Sequence, residues 1–202
     1  MTKDLTIYKG RQPARRRIPP SELARTSAAI EYLTEDEYLR LYEAAKHPEH
    51  QLLIRLLYES GLRISEALAL KFSDIYPDAV NVRHGKGNKQ RTVAMQAPVL
   101  GDLMRHAQKT GSTDRIFVKL RHRSAANSML IRAACDAGIS KKVHPHLFRH
   151  TYAINFIRQT GNPWALQSQG GWSNMEIIKT YMRLAGEMPK EAVAKMIFPK
   201  VG

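Results

Sequence analysis

The chain has 202 residues, 43% of them hydrophobic and 25% charged, which suits one folded domain with or without an arm and excludes a mostly disordered chain. Lysine and arginine number 32 against 18 acidic residues, a formal net charge of +14, so a polyanionic partner is the first expectation. A single cysteine, Cys135, excludes an intramolecular disulfide framework and a Cys-rich zinc module, and no apolar run reaches the ~18 residues of a membrane span.

Residues 1–20 carry six basic residues and one acidic one; without them the body keeps 26 basic against 17 acidic residues and is basic in its own right. This terminus has no apolar stretch of the secretory kind, so a cytoplasmic, nucleoid-associated location is expected, with no membrane contact. Arg15, Arg16 and Arg17, followed by Ile18-Pro19-Pro20, read as a phosphate-seeking extension within a basic, flexible arm over residues 1–32; a solvated tail is the plainer alternative. A folded domain is expected over 33–202.

Thr34 and Glu37 form a capping box ahead of EYLRLYEAAK, an amphipathic helix. HQLLIRLLYES reads as a buried helix stopped by Gly61, and RISEALALK as a short third one. The period then changes: AVNVRH and RTVAM alternate around GKGNKQ, which predicts a β-hairpin. QAPVLGDLMRHAQKTG reads as helix, RIFV as a short strand, and RHRSAANSMLIRAACDAG as a helix ended by Gly138. From residue 144 everything reads as helix: HPHLFRHTYAINFIRQTG, NPWALQSQ, SNMEIIKTYMRLA and KEAVAKMI. The expected class is α+β, mainly helical with a small antiparallel β-sheet.

Four segments hold residues with chemistry to offer. In HPHLFRH, His146 and Arg149 lie three apart on one helix face, where an imidazole and a planar guanidinium would suit a phosphate. His144, His146 and His150 could equally be a surface or capping set. The crowd of basic residues, with no carboxylate or thiol beside them, argues against a metal. Arg63 follows Gly61-Leu62 at a helix junction, with Glu66 one turn later to hold its guanidinium; an ordinary surface ion pair is the alternative. Lys86 sits between Gly85 and Gly87 in the hairpin turn, where it could protonate a leaving oxygen or simply be solvated. Tyr181 could attack phosphorus or pack as a rim residue. Trp172, after Gly170-Gly171, could donate its N–H to a phosphate oxygen or be a packed aromatic.

Taken in order, G-L-R-x-S-E-A-L, G-K-G-N-K-x-R in a hairpin, H-x-x-R-H, and G-G-W-S with a tyrosine nine residues on resemble the tyrosine recombinase (phage integrase) family. The resemblance runs from about Leu33 to the C-terminus. It implies a site-specific DNA recombinase that cleaves and rejoins strands through a 3′-phosphotyrosyl link, with no metal, ATP or other cofactor. It assigns Tyr181 as nucleophile, Arg63 and Arg149 to the scissile phosphate, and His146 to proton transfer at the tyrosine and phosphate binding. Lys86 becomes the general acid, with Lys89 a stand-in, while Trp172 binds phosphate and Glu66 supports Arg63. The implied partners are double-stranded DNA and three further copies of the chain, as a homotetramer on two sites formed from a monomer or weak oligomer.

Two departures concern packing and acid–base chemistry: Q-G-G-W stands where the family has an L-G-H-type segment, and Phe148 stands where it has leucine. A third concerns size. About 30 residues precede the first core helix, too few for the helical domain that family members carry ahead of the catalytic one. A catalytic-domain-only recombinase, like the fimbrial-switch invertases, or a truncated form is therefore expected. Arg83, Lys89, Arg91, Arg121, Arg123, Lys141 and Lys142 are expected to track the DNA backbone, or to be solubility charge. A type IB topoisomerase-like relaxing activity and a non-catalytic DNA-binding regulator on the same fold are the alternatives.

Overall fold

The computed structural model describes residues 30–83, 90–111 and 115–186. Apart from Ile30, the described residues belong to one unit, Glu31–Gly202.

Helix α1, Glu35–Ala44, starts at the Thr34 capping box: the Thr34 hydroxyl accepts from the Glu37 N–H, and the Glu37 carboxylate accepts from the Thr34 N–H at 2.8 Å. Helix α2, Pro48–Ser60, buries Leu53, Ile54, Leu56 and Leu57 completely and ends on Gly61 in the left-handed conformation, φ 61°. At ~1.5–3 kcal/mol for each fully buried aliphatic side chain, this helix is a principal anchor of the core. Helix α3, Ile64–Ala69, follows at once and buries Ile64, Ala67 and Leu68.

Strands β1, Ala79–Val82, and β2, Arg91–Ala94, pair antiparallel with Val80 opposite Val93 and Val82 opposite Arg91. That register turns Val80, Val82 and Val93 into the core, while the turn with Lys86 and Lys89 lies outside the described residues. Helices α4, Ala97–Thr110, and α5, Arg123–Asp136, follow. Helix α6, Pro145–Thr160, is buried on most of its circumference, and α8, Met175–Ala185, α2 and the short α7, Pro163–Gly170, pack on it.

The fold class agrees with the sequence reading: mainly helical, with a two-stranded antiparallel sheet among the described residues. RIFV departs from it and joins no strand. Ile116 and Phe117 are wholly buried, but the Ile116 N–H donates to the Leu70 carbonyl. Just past the run, the N–H groups of Lys119 and Leu120 donate to the buried Glu49 carboxylate at 2.8 and 2.7 Å. The apolar run is thus a core plug tied down by a side chain, not a ladder. The terminal helix read in KEAVAKMI and the arm with Arg15, Arg16 and Arg17 lie outside the described residues. Among the described residues, no helix is long and apolar enough to cross a membrane.

Candidate active site

Arg149 is the pivot. It projects from α6 and is 5% exposed, so its charge has left water and must be compensated. Two N–H groups donate to backbone carbonyls, of Gly61 and Gly170, each at 2.7 Å. The guanidinium lies 3.8 Å from the centroid of the Trp172 ring, a cation–π contact. These bonds use two of its five N–H groups. Burial and the nearby Arg63 lower its pKa to about 10, so it remains charged at neutral pH.

Both carbonyls come from glycines that the geometry requires. A Cβ on Gly61 would sit 2.3 Å from the Tyr152 ring, in a backbone conformation that side chains rarely adopt. A Cβ on Gly170 would sit 1.7 Å from Trp172. The Q-G-G-W departure is therefore the space into which the indole turns.

Arg63 precedes α3 and donates to Glu66 at 2.8 Å and to the Gly171 carbonyl at 3.2 Å. Glu66 is 4% exposed and also accepts the Arg63 backbone N–H at 2.9 Å. Arg91, on β2, closes on the same carboxylate with both terminal nitrogens at 2.9 Å and donates its Nε–H to the Gln169 carbonyl. Burial pushes the Glu66 carboxyl up, but the hydrogen bonds and charges of Arg91 and Arg63 outweigh it, and the net pKa is lowered. One carboxylate thus holds two arginines while a third stands beside them, an excess of positive charge suited to an anion.

Tyr181, on α8, is 1% exposed. Its hydroxyl lies 2.8 Å from the His150 Nδ1, and its ring meets Trp172 edge-on at 5.8 Å. Burial raises the phenol pKa, while Arg149 and a hydrogen bond from the Trp172 indole lower it; the net shift is upward. The His150 ring is pushed down to about 4 by burial and then by His146, His144 and Arg149, so it is neutral at neutral pH, and in the tautomer protonated at Nε2 its Nδ1 accepts the phenolic O–H.

His146 is exposed, next to His144, which caps α6 by accepting the Leu147 N–H. Burial lowers the His146 pKa, followed by the charges of His144, Arg123, Arg149 and Arg63. The structure therefore gathers Arg63, Glu66, Arg149, Trp172 and Tyr181, with His146 at the rim, and leaves Lys86 and Lys89 outside the described residues.

The residues read as backbone-tracking cations divide. Arg91 is spent on Glu66. Arg83 is held by Asp74 and Ser73, and Lys141 by the Glu37 carboxylate and the Tyr32 carbonyl. Arg121, Arg123 and Lys142 are exposed. Sequence reasoning placed Arg91 among the backbone-tracking cations without foreseeing its tie to Glu66, and missed His150 as the partner of Tyr181. The signal for His150 was its place one helical turn after His146 in H-x-x-R-H, where it was grouped with the surface histidines.

Residues 31–188 match the model of the phage integrase family. The chain belongs to that family. A tyrosine recombinase of Thermosipho africanus is 34% identical over 177 residues, 82% of this chain and 62% of that protein. The crystal structure of XerA recombinase superposes with a TM-score of 0.70 at 30% identity, covering 83% of this chain and 64% of that one. The catalytic domain of bacteriophage HP1 integrase gives 0.67 at 25% identity, covering 82% of this chain and 95% of that domain. The chain thus spans about three fifths of the recombinase from Thermosipho, yet matches nearly all of an isolated catalytic domain.

Proposed function

We propose that this chain is a site-specific DNA recombinase that cuts and rejoins strands through a 3′-phosphotyrosyl intermediate, using neither metal nor ATP. One observation carries the reading: a tyrosine hydroxyl from α8 lies among Trp172, Arg149 and, behind it, the Arg63–Glu66–Arg91 cluster, groups from four separate stretches of chain.

The scissile phosphodiester is held by Arg63 and Arg149, with His146 and the Trp172 N–H as further donors. A phosphoryl transition state spreads negative charge over its oxygens, and fixed guanidinium donors in a water-poor site stabilise it with little reorganisation. At an effective dielectric near 20, one charge pair ~4 Å apart is worth about 4 kcal/mol, well above an exposed ion pair. Tyr181 attacks phosphorus in line, the 5′-oxygen leaves, and Lys86 supplies its proton. The ester conserves the bond energy, so a 5′-hydroxyl from a second duplex can reverse the attack and exchange strands. Tyr181 is buried, so groups that cover its oxygen must open for the phosphate to reach it.

Double-stranded DNA in the cytoplasm is the substrate, and four copies on two sites provide the four cleavages of a complete exchange. Arg15, Arg16, Arg17, Arg121, Arg123 and Lys142 supply backbone contacts that fix position without reading sequence.

The test starts from a random-sequence pool of nicked duplexes whose cleaved fragment diffuses away, from which covalent adducts are selected. The wild type accumulates a protein–DNA adduct. Tyr181→Phe accumulates none and keeps its DNA affinity within about threefold, as expected when the lost group acts only in the chemical step. A wild type that binds DNA and never forms an adduct overturns the reading.

A further inference from the structure

The resemblance gives His146 two duties, phosphate binding and proton transfer at the tyrosine. The geometry separates them. His146 is exposed and turned toward His144, among arginines that the phosphate would bridge. Among the described residues, the imidazole nitrogen at the nucleophile is the Nδ1 of His150, 2.8 Å from the Tyr181 oxygen, with the rings 5.8 Å apart and tilted by 49°.

We infer that His150 is a catalytic residue, the group that takes the Tyr181 proton on cleavage and returns it on rejoining; this rests on the recombinase reading above. The phenol donates its proton to His150 and accepts the indole N–H of Trp172. One lone pair on the oxygen therefore remains to meet phosphorus, and its direction is set by two rings fixed on α6 and the α7–α8 turn. Cleavage forms the Oη–P bond and breaks the P–O5′ bond. The phenolic proton passes to Nδ1, and the departing 5′-oxygen is protonated by a separate acid.

A neutral imidazole of low basicity is a poor base toward a free phenol. It suffices here because an oxygen bonding to phosphorus holds its proton far more weakly than a phenol does, so transfer late in the step is downhill. The same property serves the reverse reaction: the His150 imidazolium, pressed by Arg149, His146 and His144, is a strong acid facing the tyrosine oxygen as it leaves.

The test uses the full chain on the nicked duplexes that the wild type selects. Single-turnover cleavage is measured with tyrosine, and with the more acidic 3-fluorotyrosine, at position 181. His150→Ala, His150→Gln and His146→Ala are compared, with melting temperatures for each. His150→Ala and His150→Gln are expected to cleave at least ~100-fold more slowly, the usual cost of losing a positioned proton acceptor. Fluorotyrosine, which needs less help in losing its proton, restores at least ~tenfold in these two variants and leaves His146→Ala unimproved. His150→Gln keeps a polar group of similar reach and supplies the answer where His150→Ala fails to fold. Wild-type rates in the His150 variants overturn the assignment. So does a loss in folded variants that is the same for both phenols, or a rescue confined to His146→Ala. Absence of adduct from the wild type itself is a different result: it removes the recombinase reading, and this inference with it.

Discussion

At Tyr181 and His150, burial acts on two titratable groups in opposite directions: it lifts the phenol and depresses the imidazole, so both are neutral at neutral pH and one hydrogen bond joins them. The imidazole gives a stability prediction with a definite sign. Its pKa falls from an ordinary ~6.5 in the unfolded chain to about 4 in the folded one, so below pH ~6.5 the unfolded chain takes up a proton that the folded chain refuses. Its contribution is fully present above pH ~6.5 and is lost as pH falls toward 4. Unfolding measured at pH 7, 6, 5 and 4 is expected to show a shallower decline for His150→Gln than for the wild type, and parallel curves would refute the shift. The identity of this residue was legible in H-x-x-R-H, but its role was not. Which of three neighbouring histidines faces the tyrosine depends on how α8 packs across α6, a contact between residues 31 positions apart.

Elements carry the arginines to the site. Strand β2 delivers Arg91, the start of α3 delivers Arg63, and Glu66 ties them together. Removing the shared carboxylate strands two half-buried guanidinium groups. Glu66→Gln is expected to destabilise the fold by about 3 kcal/mol, read from denaturant midpoints at unchanged slope. Arg91→Ala should cost less, because Arg63 still pairs with Glu66; an equal or larger loss would show that β2 and not the carboxylate is the anchor. Gly61→Ala is expected to cost at least ~2 kcal/mol, since it combines a disfavoured backbone conformation with a clash at Tyr152. The same change moves the carbonyl that holds Arg149, so adduct formation should fall along with stability. Most of the helices were readable because their stop and start signals are local: the Thr34–Glu37 box, Gly61, Pro145, Gly161. RIFV was misread as a strand because β-branched and aromatic residues suit a buried plug as well as a ladder, and the buried Glu49 that settles the matter lies about 70 residues away in sequence. Arg91 was read as a surface cation for a similar reason: its partner Glu66 is 25 residues away and buried.

For the whole molecule, the net charge of +14 sets how DNA binding responds to salt. Each phosphate neutralised contributes about −0.9 to the slope of log affinity against log salt. If the chain works on DNA as proposed, the slope should be roughly −5 or steeper, and Arg15, Arg16 and Arg17 replaced together by alanine should flatten it by up to about 2.7 units if all three meet phosphates. An unchanged slope would remove the arm from the DNA contacts. The fold class and the order of the catalytic segments were both legible from 202 residues, because the family's motifs are compact in sequence. Their convergence was not legible, since it arises only when α6, α7 and α8 pack around Trp172.

Tyr181 is expected to become joined to a DNA 3′-phosphate. Protease digestion of the trapped adduct, followed by mass spectrometry of the DNA-bearing peptide and enzymatic phosphorylation of the released strand, tests it directly. Nucleotide mass is expected on the peptide containing Tyr181, together with a free 5′-hydroxyl that accepts phosphate. Attachment at another residue, or linkage through the 5′ end, would contradict it.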